Sequence, residues 1–189
     1  INYANILHRT NKLSEAYYYY KKSIDIDDRF AESYFNLADI YTRLNKKPLA
    51  LNSYLKTKEI NKDFNNIDAI ILKTYISLNE FKKGESYINT YKLFLSDDLK
   101  LIETIVIFYF IQNKFDTAIS YYNKYLLNSK QDQYLISQNL NELYFKSLIN
   151  SNKKNQAKTE LTDILTKLNK LDNASKKQFY SNLKKELNL

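Results

Sequence analysis

Cysteine, methionine and tryptophan are absent from this sequence, and glycine and proline occur once each in 189 residues. Without cysteine there is no disulfide framework, no thiolate zinc site and no thiol nucleophile. A single glycine excludes a glycine-rich phosphate loop. One Gly and one Pro also leave little punctuation for strands joined by tight turns, and no stretch alternates with period two. His8 is the only histidine, with no carboxylate or nucleophile beside it in a recognisable catalytic motif, so it reads as a surface groove residue. No enzyme, cofactor or metal site is expected. The most apolar run, Ile105 to Ile111, is far too short to cross a bilayer, so no membrane span is expected in this segment. The chain starts inside a repeat unit without an initiator Met and therefore reads as a piece of a longer protein. The compartment stays open, with the cytoplasm as the favoured reading.

Lysine, by contrast, is abundant: 26 Lys and three Arg (Arg9, Arg29, Arg43) bring the net charge to +8. Nucleic-acid sites cluster such charge on one face. Here it is spread along the chain, as in Lys21-Lys22, Lys82-Lys83 and Lys184-Lys185, which reads as solvated helix surface. Nucleic acid is not the expected partner. Single-stranded RNA, stacked on the many Tyr, is the lesser alternative and predicts affinity falling steeply with salt.

The dominant pattern is a period of 34 residues. Asn11, Asn45, Asn79 and Asn113 form one column; Ala16, Ala50, Gly84 and Ala118 a second; Leu7, Tyr41, Tyr75 and Tyr109 a third. A period of this length means stacked two-helix units, so the fold class is all-α, an α-solenoid of antiparallel helix pairs with a C-terminal capping helix. The approximate units of the single repeat domain are 1–30 (truncated), 31–64, 65–98, 99–132, 133–171 and a cap at 172–189. The expected helices are Ile1–Thr10 and Leu13–Asp25, Phe30–Leu44 and Lys47–Ile60, Ile67–Leu78 and Phe81–Leu95, Asp98–Gln112 and Lys114–Ser129, Asp132–Asn150 and Lys153–Leu171, then Ala174–Leu187.

Each recurring Asn falls where the first helix of a pair ends, and a left-handed residue is expected there. Asn adopts that conformation best after Gly. Pro48 sits in a first helical turn, where its missing N–H costs nothing, and Ser96-Asp97-Asp98 offers cap residues. The fifth unit repeats the turn Asn and small residue as Asn152 and Ala157, 39 residues after Asn113 and Ala118. Its first helix is therefore expected to be longer by more than one turn, or kinked. In the last helix Phe179, Leu183 and Leu187, with Tyr180 beside them, form an apolar stripe that caps the open end.

The segment Tyr34-Phe35-Asn36-Leu37-Ala38-Asp39-Ile40-Tyr41, continued by Ala50 and Tyr54, resembles the tetratricopeptide repeat family. Ile105, Tyr109, Ala118 and Tyr122 repeat the pattern, with Val106 at the position of Ala38. The resemblance covers nearly the whole chain. Departures from the signature are Asp28, Lys62, Ser96 and Lys130 at its final Pro, Tyr34, Asp68 and Ile102 at its early Trp, and Tyr91 and Tyr125 at its last small residue. The resemblance implies a right-handed superhelix acting as a protein-interaction scaffold, with the first helices lining a concave groove that binds a protein or peptide.

Carried onto this sequence, that groove is lined by Asn5, Arg9, Phe35, Asn36, Asp39, Arg43, Ile70, Lys73, Ile76, Ile107, Phe110, Ile111 and Lys146, with His8 beside Arg9. Ile70, Ile76, Ile107, Phe110 and Ile111 are read either as an apolar strip for an apolar or amphipathic partner segment or as residues that thicken the core. The carboxylate clamp some members use for chaperone tails needs two Asn and several cations. Asn5 and Asn36 occupy the amide positions, but Ile1, Asn66 and Ile70 stand at the basic ones, so no chaperone-tail binding is expected. The alternatives to a groove for a partner protein are homo-oligomerisation and a regulatory repeat domain of a larger protein.

Overall fold

The computed structural model describes residues 1–93, 96–129, 132–133, 136–171 and 173–189, the side chains of Asn128 and Ser129 excepted. Among the described residues there are eleven helices and no strand: α1 (Asn2–Arg9), α2 (Leu13–Ile26), α3 (Ala31–Arg43), α4 (Lys47–Ile60), α5 (Ile67–Ser77), α6 (Phe81–Thr90), α7 (Leu99–Phe110), α8 (Phe115–Ser129), α9 (Gln138–Asn150), α10 (Lys154–Lys170) and α11 (Ala174–Glu186). They fall into two compact units, Ile1–Leu93 and Phe94–Leu189.

Within each helix pair the turn is built the same way. Asn11, Asn45, Asn79, Asn113 and Asn152 all stand in the left-handed region, with φ of 61, 56, 55, 58 and 60°. At that residue the chain reverses, and the next amide reaches back five residues to a carbonyl in the last turn of the helix. Lys12 donates to Leu7 at 2.8 Å, Lys46 to Tyr41 at 2.8 Å, Glu80 to Tyr75 at 3.0 Å, Lys114 to Tyr109 at 3.0 Å and Lys153 to Leu148 at 2.8 Å. This is the hydrogen-bond pattern of a helix end closed by a left-handed residue. The carbonyl of that next residue (Lys12, Lys46, Glu80, Lys114 or Lys153) then accepts from the small residue four positions on, Ala16, Ala50, Gly84, Ala118 or Ala157, and so starts the second helix. Those five small residues are all buried. A larger side chain there would hold two helices apart.

In the first unit α1 pairs with α2, α3 with α4 and α5 with α6, while α2 also packs on α3 and α4 on α5. Of the four consecutive aromatics Tyr17 to Tyr20, only Tyr20 is fully buried, in a cluster with Ala4, Leu7, Ala16 and Ile40. Pro48 lies in the first turn of α4, as expected. In the second unit α7 pairs with α8 and α9 with α10, and α11 lies on α10. Asp98 caps α7, its carboxylate accepting from the amides of Lys100 and Leu101. On α11 the buried edge is Tyr180 and Leu183, with Phe179 and Leu187 half-buried beside it.

Two helices end elsewhere than the sequence suggests. α6 closes at Thr90 because Lys92 takes a left-handed φ of 50°; Leu95, the expected end, lies outside the described residues. α9 starts at Gln138 and is 13 residues long, the same as α3, so the five extra residues do not lengthen it. They fall in the connection before it, where the expected helix from Asp132 is not formed at Ser137; residues 134–135 lie outside the described ones. Asn141, fully buried on α9, gathers that connection. Its amide nitrogen donates to the carbonyls of Gln133 at 3.0 Å and Ser137 at 3.1 Å, and its oxygen accepts from Tyr122. Satisfying two loop carbonyls from one side chain removes the penalty of burying them.

Candidate partner-binding face

In the first unit the predicted polar residues meet. Tyr20 donates to the side-chain oxygen of Asn5 at 2.7 Å, and Asn36 donates to the same oxygen at 3.1 Å. His8 is not the isolated surface group the sequence suggests. Its Nε2 lies 2.9 Å from Asp39 Oδ2, and its side chain is only 11% exposed. The carboxylate comes from the next helix pair, 31 residues on, which no local motif reveals. Asp39 also accepts from Arg43 at 2.9 Å. Burial, with the charge of Asp39 second, pushes the Tyr20 phenol up to about 12. Arg9 is exposed near the end of α1. Asn5 and Asn36 are thus tied together through the Asn5 oxygen, which also accepts from Tyr20.

Beyond this polar patch the face turns apolar. Thr42, Lys47, Ala50, Tyr54, Ile70, Lys73, Thr74 and Ser77 line a cleft of about 280 Å³ between the second and third helix pairs. Of the residues expected on the groove, Ile70 and Lys73 line this cleft; Lys47, Ala50 and Tyr54 come from α4, which the first-helix reading passes over. The column of small residues is the signal that would have found them, since a small side chain at a helix contact leaves room beside it. Phe35 is half-buried and turned to other aromatics, its ring centroid 4.8 Å from Phe64 and 5.6 Å from Tyr54. Ile76 is half-buried.

In the second unit Ile107 and Phe110 are half-buried and Ile111 is 43% exposed. Phe110 leans on Phe115 across its own turn, centroids 5.4 Å apart. Lys146 is committed to Glu142 at 2.5 Å and Glu186 at 3.1 Å, and these carboxylates hold its ammonium above the usual lysine range. The five residues of the apolar strip are therefore divided between two units, Ile70 and Ile76 in one and Ile107, Phe110 and Ile111 in the other.

Sequence reasoning missed one further group. Lys58 donates to Asp68 at 2.8 Å and to the carbonyl of Lys62 at 2.7 Å, and Tyr87 donates to Asp68 at 2.6 Å. Lys58 and Tyr87 are buried. Asp68 stands where the family's signature has Trp, and that substitution was the available signal: a carboxylate in a core position needs a cation. Among the described residues no cluster of three or more His, Asp or Glu could hold a metal ion, and no helix is long and apolar enough to cross a membrane.

Comparison with known proteins agrees with this architecture. A tetratricopeptide repeat model matches residues 19–52, one period running from α2 through α3 into α4. Among solved structures, YrrB, a tetratricopeptide repeat protein with an unusual peptide-binding site, aligns over 98% of this chain and 90% of its own at 16% identity, with a TM-score of 0.67. The MamA protein aligns over 90% and 91% at 13% identity, with a TM-score of 0.70. A tetratricopeptide repeat protein from Parabacteroides merdae ATCC 43184 aligns over 99% and 75% at 17% identity, with a TM-score of 0.59. No curated protein matches the sequence.

Proposed function

From the premise that this chain has the tetratricopeptide-repeat fold, we propose that it is a non-enzymatic scaffold that takes a segment of a partner protein on the face formed by its first helices. The fold alone hosts many roles; the observation that carries this reading is the cleft lined by Ile70 and Lys73. Its walls are apolar and its rim is charged, the combination that suits an extended or helical peptide. The peptide-binding site of YrrB, a protein of the same fold, supports the same class of ligand.

Photo-crosslinking tests this. A photoreactive residue in place of Lys73 or Ser77, both at the cleft, is expected to trap a defined partner from the native extract, and the same residue in place of Tyr18 or Lys185, both exposed elsewhere, is not. Equal trapping from all four positions would reject the face.

A further inference from the structure

We infer that the cleft beside α3, α4 and α5 takes an acidic–aliphatic stretch of peptide, with one aliphatic side chain against Ala50, Tyr54 and Ile70 and a flanking carboxylate held by Lys73 and Lys47. This rests on the reading of the first-helix face as a partner site and names the chemistry of the partner.

Size comes first. At about 280 Å³ the cleft falls just below the roughly 300–1,000 Å³ of sites that enclose a drug-sized ligand. It suits one or two side chains of a longer segment.

The walls decide the aliphatic part. Every hydroxyl around the cleft is already engaged within the protein. Thr42 Oγ1 donates to the carbonyl of Ala38 at 2.9 Å and lies 3.5 Å from the Tyr54 hydroxyl. Thr74 Oγ1 donates to Ile70 at 2.8 Å, and Ser77 Oγ to Thr74 at 2.9 Å. What these residues present to the cleft is methyl, methylene and ring surface, together with Ala50 and Ile70. A polar side chain seated there would lose water without gaining a partner.

The rim decides the acidic part. Lys47 Nζ donates to the carbonyl of Ser77 at 3.2 Å, a neutral partner that leaves its charge uncompensated. Lys73 is exposed. Among the described residues neither lysine has a carboxylate partner. Asp39 is held by His8 and Arg43, and Glu80 by Lys83. Two uncompensated ammonium groups over an apolar floor favour an anion beside an aliphatic group, and the net charge of +8 adds to the attraction.

Fluorescence anisotropy with labelled, end-capped peptides tests the inference on the 189-residue chain. The probes share one frame around a central leucine flanked by two aspartates, two asparagines or two lysines, with a fourth in which serine replaces leucine between aspartates. The aspartate–leucine peptide is expected to bind about three- to tenfold tighter than its asparagine counterpart, the scale of two exposed ion pairs. That preference should shrink at high salt. The lysine and serine peptides should bind weakest. Lys47→Gln with Lys73→Gln should erase the acidic preference, weakening the aspartate peptide until it matches its asparagine counterpart, and Ile70→Ser should weaken both leucine peptides, with helicity intact by circular dichroism. Equal binding of the aspartate and asparagine peptides would overturn the acidic assignment and leave the partner face standing. Binding of none would overturn the inference, while crosslinking from Lys73 still judges the face. Displacement of the peptide by polyuridylate, or self-association lost in the double Gln variant, would also overturn it, by naming RNA or a second copy as the occupant.

Discussion

The backbone amide of Lys46 donates to the carbonyl of Tyr41 at 2.8 Å, across the single left-handed residue Asn45. One bond thus links two columns of the 34-residue period, and the carbonyl of Lys46 links the third by accepting from Ala50 at 3.0 Å. The periodicity visible in the sequence is the imprint of this turn.

Substituting the reversing residue should therefore separate conformational strain from side-chain chemistry. Asn45→Gly is expected to leave stability within about 0.5 kcal/mol of wild type, because Gly enters the left-handed region freely. Asn45→Val should lose about 1–2 kcal/mol, since a Cβ opposes that conformation. Urea unfolding of the three proteins measures both. Equal stability of the Val and Gly variants would contradict a strained turn.

Ala118 is 1% exposed at the start of α8, where α7 and α8 approach. Ala118→Leu should lower stability by about 1–3 kcal/mol through overpacking. An unchanged melting curve would reject the assigned helix contact.

Asp68 neutralises a lysine whose side chain is only 9% exposed. Asp68→Ala should lose about 2–4 kcal/mol, because it strands the Lys58 charge and removes the acceptor of the Tyr87 hydroxyl. Lys58→Met combined with Asp68→Leu should regain most of that loss, since an apolar pair carries no desolvation penalty. A double variant as unstable as Asp68→Ala would show that the ion pair is not the cause.

Alkaline pH should loosen the fold before acid does anything comparable through these groups. The Tyr20 phenol rises from 10.0 to about 12 in the folded state, through burial and then Asp39; burial moves Tyr87, Tyr122, Tyr144 and Tyr180 the same way. A raised pKa means that the folded state keeps a proton the unfolded chain has lost. The stabilisation is complete below pH 10 and is lost as pH climbs toward 12. Urea midpoints should fall over that interval, and less steeply in Tyr20→Phe. Identical slopes would argue that the Tyr20 hydroxyl titrates freely.

The helices and their turns were legible because each is decided within a few residues: a left-handed Asn, a proline at a first turn, a small residue at fixed spacing. The capping of α7 by Asp98 belongs to the same class. The early end of α6 and the late start of α9 were not legible, because a hydrophobic run of the right length says nothing of where a neighbouring loop claims the backbone. Asn141 reads as one more polar residue on a helix until Tyr122 and the carbonyls of Gln133 and Ser137 are brought to it.

The candidate face divides along the same line. Ile70 and Lys73 were placed by counting periods along the first helices. Lys47 and Tyr54 joined them in the cleft only once α4 had packed on α5. The pairing of His8 with Asp39, and of Lys58 with Asp68 and Tyr87, likewise joins side chains from different helix pairs. By itself the sequence determined the all-helical class, the period, the turn residues and the small contact positions, since local sterics and hydrogen bonding fix each of these. Only the tertiary structure decided which charges are neutralised and which are left facing solvent, because that depends on distances between helices that no spacing along the chain encodes.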